Sequence, residues 1–251
     1  MDLKAAIKDC LGPRITALGF APVDRFNGAP ESHHPSGVCK EAATVIVYGI
    51  AVPRGMLLSP NYNLHAMHRT YHSVYPLLDE IALGLCNFIE AQGNHLAVPV
   101  PSFAPLVYEG VEPWGIISLK HAAVRAGLGA FGRNGLVHNP QYGTLLRWGA
   151  VVTSAEIEGD SMNEADPCPP GCELCHSACP HGAIGKEGDF QKMACLAATI
   201  KHAIYPLALK DERGLKNIER VINTAGHNYW LTCHECLKVC PSNNPSARWK
   251  K

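Results

Sequence analysis

The sequence has no excess of charge of either sign. Lys and Arg number 22, Asp and Glu number 22, and the pI is near 7.2. No long basic run occurs, so the electrostatic footprint of nucleic-acid binding is missing and nucleic acid is not expected as a partner. No apolar run approaches the roughly 18 residues of a membrane helix, which excludes a helical membrane span. The start does not read as a signal peptide, and it contains no twin-arginine pair. Leu3, Ile7, Cys10, Leu11, Ile15 and Leu18 recur there at helical spacing among Asp2, Lys4, Lys8 and Asp9, so an amphipathic helix is expected over residues 1–20. A cytoplasmic setting follows. Thiols stay reduced there, and clustered cysteines point to metal rather than disulfides. With 47% hydrophobic and 18% charged residues, the chain suits an ordinary globular core in one or two domains.

What is abundant is cysteine, and its placement is uneven. Eight of 11 cysteines lie in the last third. Cys168, Cys172, Cys175 and Cys179 form one run with Pro180 directly after; Cys233, Cys236 and Cys240 form another with Pro241 directly after; Cys195 stands between them. Eight thiolates match the need of two four-iron clusters, and the Cys-Pro endings resemble bacterial ferredoxin runs, whose fourth cysteine crosses to the other cluster. Cysteines a few positions apart bend round one cubane, while the cysteine before proline points to its neighbour. Cys168, Cys172, Cys175 and Cys240 are therefore grouped on one cluster, and Cys179, Cys195, Cys233 and Cys236 on the other. One residue more than usual separates Cys168 from Cys172, with Pro169 and Pro170 in the gap. Structural zinc is the alternative, since C-x2-C pairs also make tetrahedral thiolate sites. Cys10 and Cys86 fall on apolar helix faces and read as core. Cys39 sits beside His33, His34 and Lys40.

Before residue 155 the pattern mixes helices and strands. Residues 43–50 form a nearly continuous apolar run, as in a buried strand. A long helix is expected over 61–92, with Tyr71, Val74, Leu77, Leu78, Ile81, Leu85, Phe88 and Ile89 on its apolar face. Residues 95–100 read as a strand, and Pro99 and Pro101 put it at an edge. Residues 118–126 read as a helix and 145–153 as a strand. The order is that of a layered α+β domain, 1–155. The acidic stretch 156–166 reads as a linker to a second domain, 156–251, in which residues 211–224 are expected to form a helix. His65, His68 and His72 share one helix face, lining a pocket or facing solvent.

Gly127, Gly129 and Gly132 match G-x-G-x-x-G, but a helix-like segment precedes them and strand-like Leu136, Val137 and His138 follow. A dinucleotide fingerprint needs the reverse order and an acid about 20 residues on. The glycines instead let backbone approach a bulky ligand or form a tight turn.

The stretches Ala126-Gly127-Leu128-Gly129, Gly132-Arg133-Asn134 and Asn139-Pro140-Gln141-Tyr142-Gly143 resemble the central motif of the epoxyqueuosine reductases. The strand over 45–50, Pro180-His181-Gly182-Ala183-Ile184, the lone Cys195 and the run from Cys233 to Pro241 resemble the same family. The resemblance spans roughly residues 45–243. It implies a nitroreductase-like α/β sandwich domain followed by a small two-cluster ferredoxin-like domain, an architecture shared with reductive dehalogenases. It also implies cobalamin in the first domain, reduced by two [4Fe-4S] clusters, and a low-potential donor such as ferredoxin or flavodoxin. On that basis Gly127, Gly129, Gly132 and Gly143 would meet the corrin, Asn134 and Tyr142 would hydrogen-bond it, and Arg133 or Arg147 would hold its phosphate.

Two departures stand out. Where the family has an aspartate, its proposed general acid, Pro101 occupies the position and cannot donate a proton. Tyr108, Glu109 and Glu112, in an insertion over 103–115, are the candidate substitutes. The helical-repeat extension linked with tRNA binding is also missing, which puts a tRNA substrate in doubt. The expected function is an iron–sulfur, cobalamin-dependent reductase. The alternative is an electron-transfer protein that reduces a corrinoid held by a partner protein. Flavin in the first domain is a third reading.

Overall fold

The computed structural model describes residues 2–103, 105–110, 112–163, 165–202 and 229–244. Its centre is a sheet of β1 (Ala17–Pro22), β2 (Thr44–Ala51), β8 (Leu146–Thr153) and β3 (Ala97–Val100), in that order and antiparallel throughout. The numbering leaves room for two short hairpins: β4 (Val107–Glu109) with β5 (Glu112–Trp114), and β6 (Ala130–Phe131) with β7 (Val137–His138).

Both faces of the sheet are covered, which explains the continuous apolar reading of β2. Ile46, Tyr48 and Val151 face the long helix α4 (Asn63–Ala91), whereas Val45, Val47, Ala150 and Val152 face α5 (Leu119–Arg125). The strand period of two sends alternate residues to opposite sides, and here both sides are dry. Val74, Leu78, Ile81, Leu85 and Ile89 form the buried stripe of α4. Leu77 of the expected stripe is exposed, and Tyr71 faces a cavity instead. The Tyr48 hydroxyl donates to Leu78 O at 2.6 Å, tying sheet to helix, and burial pushes its pKa well above the usual phenol range. Among the described residues β3 pairs with β8 alone, so the edge position expected from its prolines is the one observed.

The amino terminus differs from expectation. α1 (Leu3–Leu11) stops early, because Gly12 adopts φ +38° with its N–H on Lys8 O, and Pro13 cannot continue the ladder. Residues 17–22 are strand β1 rather than helix; Leu18 satisfied both periodicities. Ile7 and Leu11 are the buried residues of α1, and Cys10 is exposed rather than in the core. Cys39 and Cys86 are buried.

The acidic stretch expected to be a linker is fixed to the sheet domain. Asp160 accepts from Phe20 N at 3.0 Å and from Lys4 Nζ at 2.7 Å, and Ile157 N donates to Thr44 Oγ1 at 3.1 Å. Beyond it come α6 (Leu174–Ala178), α7 (Lys192–Thr199), β9 (Ile200–His202), β10 (Tyr229–Leu231) and α8 (Glu235–Val239). β9 and β10 pair antiparallel, and α6 packs on α8. The helix expected over 211–224 lies outside the described residues. Among the described residues, no helix is long and apolar enough to cross a membrane.

Candidate functional site

The eight clustered cysteines fall into two quartets around two cavities. Cys168, Cys172, Cys175 and Cys240 line the smaller; Cys179, Cys195, Cys233 and Cys236 line the larger. None is in a disulfide. Proline explains the interleaving. α6 and α8 each end at a cysteine followed by proline, and a pre-proline residue is driven out of the helical region. Cys179 sits at φ −76°, ψ 108° and Cys240 at φ −67°, ψ 120°, so each leaves its helix extended and reaches the other quartet. Among the described residues, no three His, Cys, Asp or Glu side chains form a group for a single metal ion; the sulfurs ring two spaces.

The thiols are crowded and partly dry. Burial, then the neighbouring cysteines, pushes the Cys236 thiol up to about 12. Burial also raises Cys175, Cys233 and Cys240. Such groups become thiolates when cationic metal compensates them. Donors are already in place: Arg133 N to Cys168 Sγ at 3.4 Å, Ala183 N to Cys179 Sγ at 3.3 Å, and the Ser242 hydroxyl 3.0 Å from Cys240 Sγ. This donor set fits iron–sulfur clusters, whose sulfurs accept hydrogen bonds.

The larger cavity, about 380 Å³, lies between the cysteine segment and the sheet domain. That size is in the range of small-molecule sites. Tyr75, Phe103 and Tyr229 form an aromatic wall, with ring centroids 5.3 and 5.0 Å apart in sequence. Arg147 is buried in the cavity wall. Its Nη1 donates to Thr144 O at 3.1 Å and Leu146 O at 2.8 Å, its Nη2 donates to the Tyr71 hydroxyl, and its guanidinium lies 4.5 Å from the Tyr71 ring centroid. Burial brings its pKa down to about 10, opposed by Cys236 and Tyr229. Lys120 also lines the cavity, donating to Gly135 O at 2.8 Å, and burial lowers its pKa. Among the described residues the one lining carboxylate, Glu235, is paired with Lys238 at 3.0 Å. The cavity therefore presents aromatic faces and cations, a setting for a planar or anionic group.

Of the residues expected to hold a cofactor, Asn134 and Arg147 line this cavity. Arg133 turns to the other quartet, donating from Nη1 to Cys172 O at 2.7 Å. The glycines face the protein's own chain. A Cβ at Gly127 would lie 2.1 Å from Ser161 O, at Gly129 2.3 Å from His138 O, at Gly132 2.2 Å from the His138 ring, and at Gly143 2.3 Å from Ser242 O. Gly127, Gly129 and Gly143 bring backbone against backbone, Gly132 brings it against a side-chain ring, and none offers an open cradle for a corrin. Tyr142 packs in the core on the α5 side of the sheet.

The candidate proton donors lie elsewhere. Glu109 accepts from Ser32 Oγ at 3.1 Å and faces His33, Glu112 pairs with Lys192 at 2.9 Å, and Tyr108 directly precedes Glu109 on the β4–β5 hairpin. None of the three is in the cavity wall. After Pro101, Ser102 turns back to α4: its N–H donates to Asp79 Oδ1 at 2.8 Å and its hydroxyl to Tyr75 O at 3.0 Å. His65 and His68 pack on Trp230, and His72 stacks on Tyr229 at 4.4 Å. The sequence reading missed Tyr71, Tyr75 and Lys120. The i, i+4 tyrosines, beside Pro76 in an otherwise regular helix, were the available signal.

Comparison with known proteins places this geometry. The family described as 4Fe-4S double cluster binding domain matches residues 168–243. The chain is similar to the epoxyqueuosine reductase of Synechocystis sp., 30% identical over 241 residues, covering 92% of this chain and 73% of the relative. Other matches are shorter: with the epoxyqueuosine reductase of Staphylococcus aureus, the matched segment spans 30% of the relative's length. Among solved structures, an epoxyqueuosine reductase with an epoxyqueuosine-modified tRNA-Tyr stem loop shares the fold at TM-score 0.67 and 20% identity, covering 97% of this chain and 66% of that one. A reductive dehalogenase described with a mechanism for B12-dependent dehalogenation shares it at TM-score 0.57 and 14% identity, covering 97% and 32%. The stem loop in the first of these runs against the expectation that nucleic acid plays no part.

Proposed function

Because this chain belongs to the epoxyqueuosine reductase family, we propose that it is an iron–sulfur oxidoreductase with two [4Fe-4S] clusters and a corrinoid. Cys168, Cys172, Cys175 and Cys240 hold one cluster; Cys179, Cys195, Cys233 and Cys236 hold the other. The aromatic cavity, at about 380 Å³ too small to enclose a whole corrinoid, would meet one part of it. The observation that carries this reading is the division of eight thiols into two quartets, one of which opens into a cavity with a buried cation. When bound, the clusters supply single electrons and the corrinoid a reducible cobalt.

The chain's own residues do the rest. Arg133 N and Ala183 N steady the thiolates they contact. Tyr75, Phe103 and Tyr229 exclude water from the wall beside the second quartet. Arg147, fixed by two carbonyls and Tyr71, meets an anionic group of cofactor or substrate. The sheet domain, with residues 157–160 laid along it, positions that cavity, and the cluster segment begins at Cys168. A cytoplasmic low-potential donor such as ferredoxin or flavodoxin supplies the electrons.

Anaerobic purification tests this reading. A brown protein with about eight irons is expected. Cobalamin added to it should bind with a change in its visible spectrum, and Arg147→Gln should weaken that binding at least about tenfold, the cost of a lost charged hydrogen bond. Stoichiometric zinc without iron, or flavin retained through purification, overturns the assignment. Binding of an epoxyqueuosine-modified stem loop by the loaded protein tests whether the substrate of the solved relative carries over.

A second reading is favoured by Pro101 and by the engagement of both Ser102 polar groups with α4. It makes the chain an electron-transfer protein that reduces a partner's corrinoid. Reduction of a corrinoid protein without binding of free cobalamin distinguishes it.

A further inference from the structure

Asn134 is 3% exposed and lies in the wall common to both cysteine cavities. The orientation of its amide is fixed. Leu136 N–H must find an acceptor, and it donates to Asn134 Oδ1 at 3.2 Å. The same oxygen lies 3.1 Å from His138 Nε2, which therefore donates to it. Flipping the amide would set N–H against N–H. Asn134 Nδ2 is left buried with no partner among the described residues. A buried orphan amide is costly and rare, and such a group marks a missing ligand.

The neighbouring backbone indicates which ligand. Arg133 N donates to Cys168 Sγ at 3.4 Å, and the Arg133 side chain reaches Cys172 O at 2.7 Å. The loop thus runs along the first quartet, with one backbone donor on sulfur and one side-chain donor on the quartet's backbone, and His138 lines that same small cavity.

We propose that Asn134 is a positioning residue whose Nδ2 donates a hydrogen bond to sulfur of the cluster held by Cys168, Cys172, Cys175 and Cys240, raising that cluster's potential relative to its neighbour's. The inference rests on the cluster reading above. Hydrogen bonds to cluster sulfur favour the more negative, reduced state and so raise the potential. The residue forms no bond to iron and exchanges no electron.

Asn134→Asp keeps an acceptor for Leu136 N and His138 Nε2 but adds a carboxylate charge that lowers a potential by itself, so the neutral Asn134→Leu, which removes the NH2 without adding charge, is read beside it and must show the same fall. Redox titration followed by electron paramagnetic resonance on the loaded chain is the test. One midpoint potential should fall by at least the equivalent of a tenfold change in the reduction equilibrium, about 59 mV for one electron, while the other moves less. Wild-type protein labelled with 15N in asparagine amides supplies a check that needs no stable variant. Pulsed resonance should detect a 15N coupling to a reduced cluster. If about eight irons are present and neither potential moves, or both fall alike, or no 15N coupling appears, the inference is overturned while the cluster reading stands. Absence of iron removes both.

Discussion

At the residue scale, the glycines of the central motif act as points of contact between segments. Gly143 has φ +59°, and a Cβ there would lie 2.3 Å from Ser242 O and 2.5 Å from Asn243 Oδ1. Asn243 Oδ1 in turn accepts from Thr144 N at 2.8 Å and, through Nδ2, Asn243 donates to Leu237 O at 2.8 Å. This buried seam joins the sheet domain to the end of α8, directly after Cys240. Gly143→Ala adds left-handed backbone strain and pushes the seam apart, at a cost of about 1–3 kcal/mol. A fall of about 2–4 °C in Tm per kcal/mol is expected for a chain of this size. An anaerobic thermal melt checks it, and a melt superimposable on the wild type's would contradict the role given to the seam. Tyr48→Phe is a milder change. Leu78 O loses the Tyr48 hydroxyl, for about 0.5–1.5 kcal/mol, with no effect on iron content; urea titration reads the difference.

At the element scale, the β4–β5 hairpin is held to α7, the helix carrying Cys195. Lys192 Nζ stands 3.7 Å from the Trp114 ring centroid and 2.9 Å from Glu112 Oε2. On the far side, Trp114 stacks on His33 at 5.1 Å. The groups are partly solvated, so Lys192→Ala should cost only about 0.5–1 kcal/mol. Its local effect should be larger: hairpin amides should exchange faster with solvent, and Trp114 fluorescence should shift to the red. Unchanged exchange would mean that the hairpin is anchored by other contacts.

Elements with a single strong period were legible in the sequence. β2 stood out as a continuous apolar run because both sheet faces are covered, β8 through Trp148, Val151 and Val152, and α4 because its stripe persists over many turns. β1 was not, since Ile15 and Leu18 extend a helical pattern that Gly12 and Pro13 interrupt. The cysteine quartets were readable because proline after cysteine has a fixed local consequence. The cavity was not. Its walls come from α4, β8, the segment after β3 and β10, and no local pattern reports that Tyr71 and Arg147 meet across the fold.

At the scale of the whole molecule, two apolar cores flank the sheet, while among the described residues of the cysteine segment the buried apolar side chains are few and Tyr229, Leu231 and Leu237 belong to a core shared with the sheet domain. The segment's order should then depend on metal, as in other small metal-organised domains. Chelation of iron should open residues in the 168–244 region to protease while far-UV circular dichroism keeps most of the helix signal of the sheet domain. Loss of the entire signal on chelation would show that the two parts unfold as one.

Each thiol quartet draws on both ends of that segment: three members of one come before residue 180 and the fourth is Cys240, while the other spans Cys179 to Cys236. A nascent chain that has emerged only as far as Cys195 contains neither set complete. Iron delivered at that stage would find no finished nest, so filling of one quartet has to wait until translation has passed Cys236 and of the other until it has passed Cys240, and a polypeptide truncated between the two runs would lose both quartets at once rather than one.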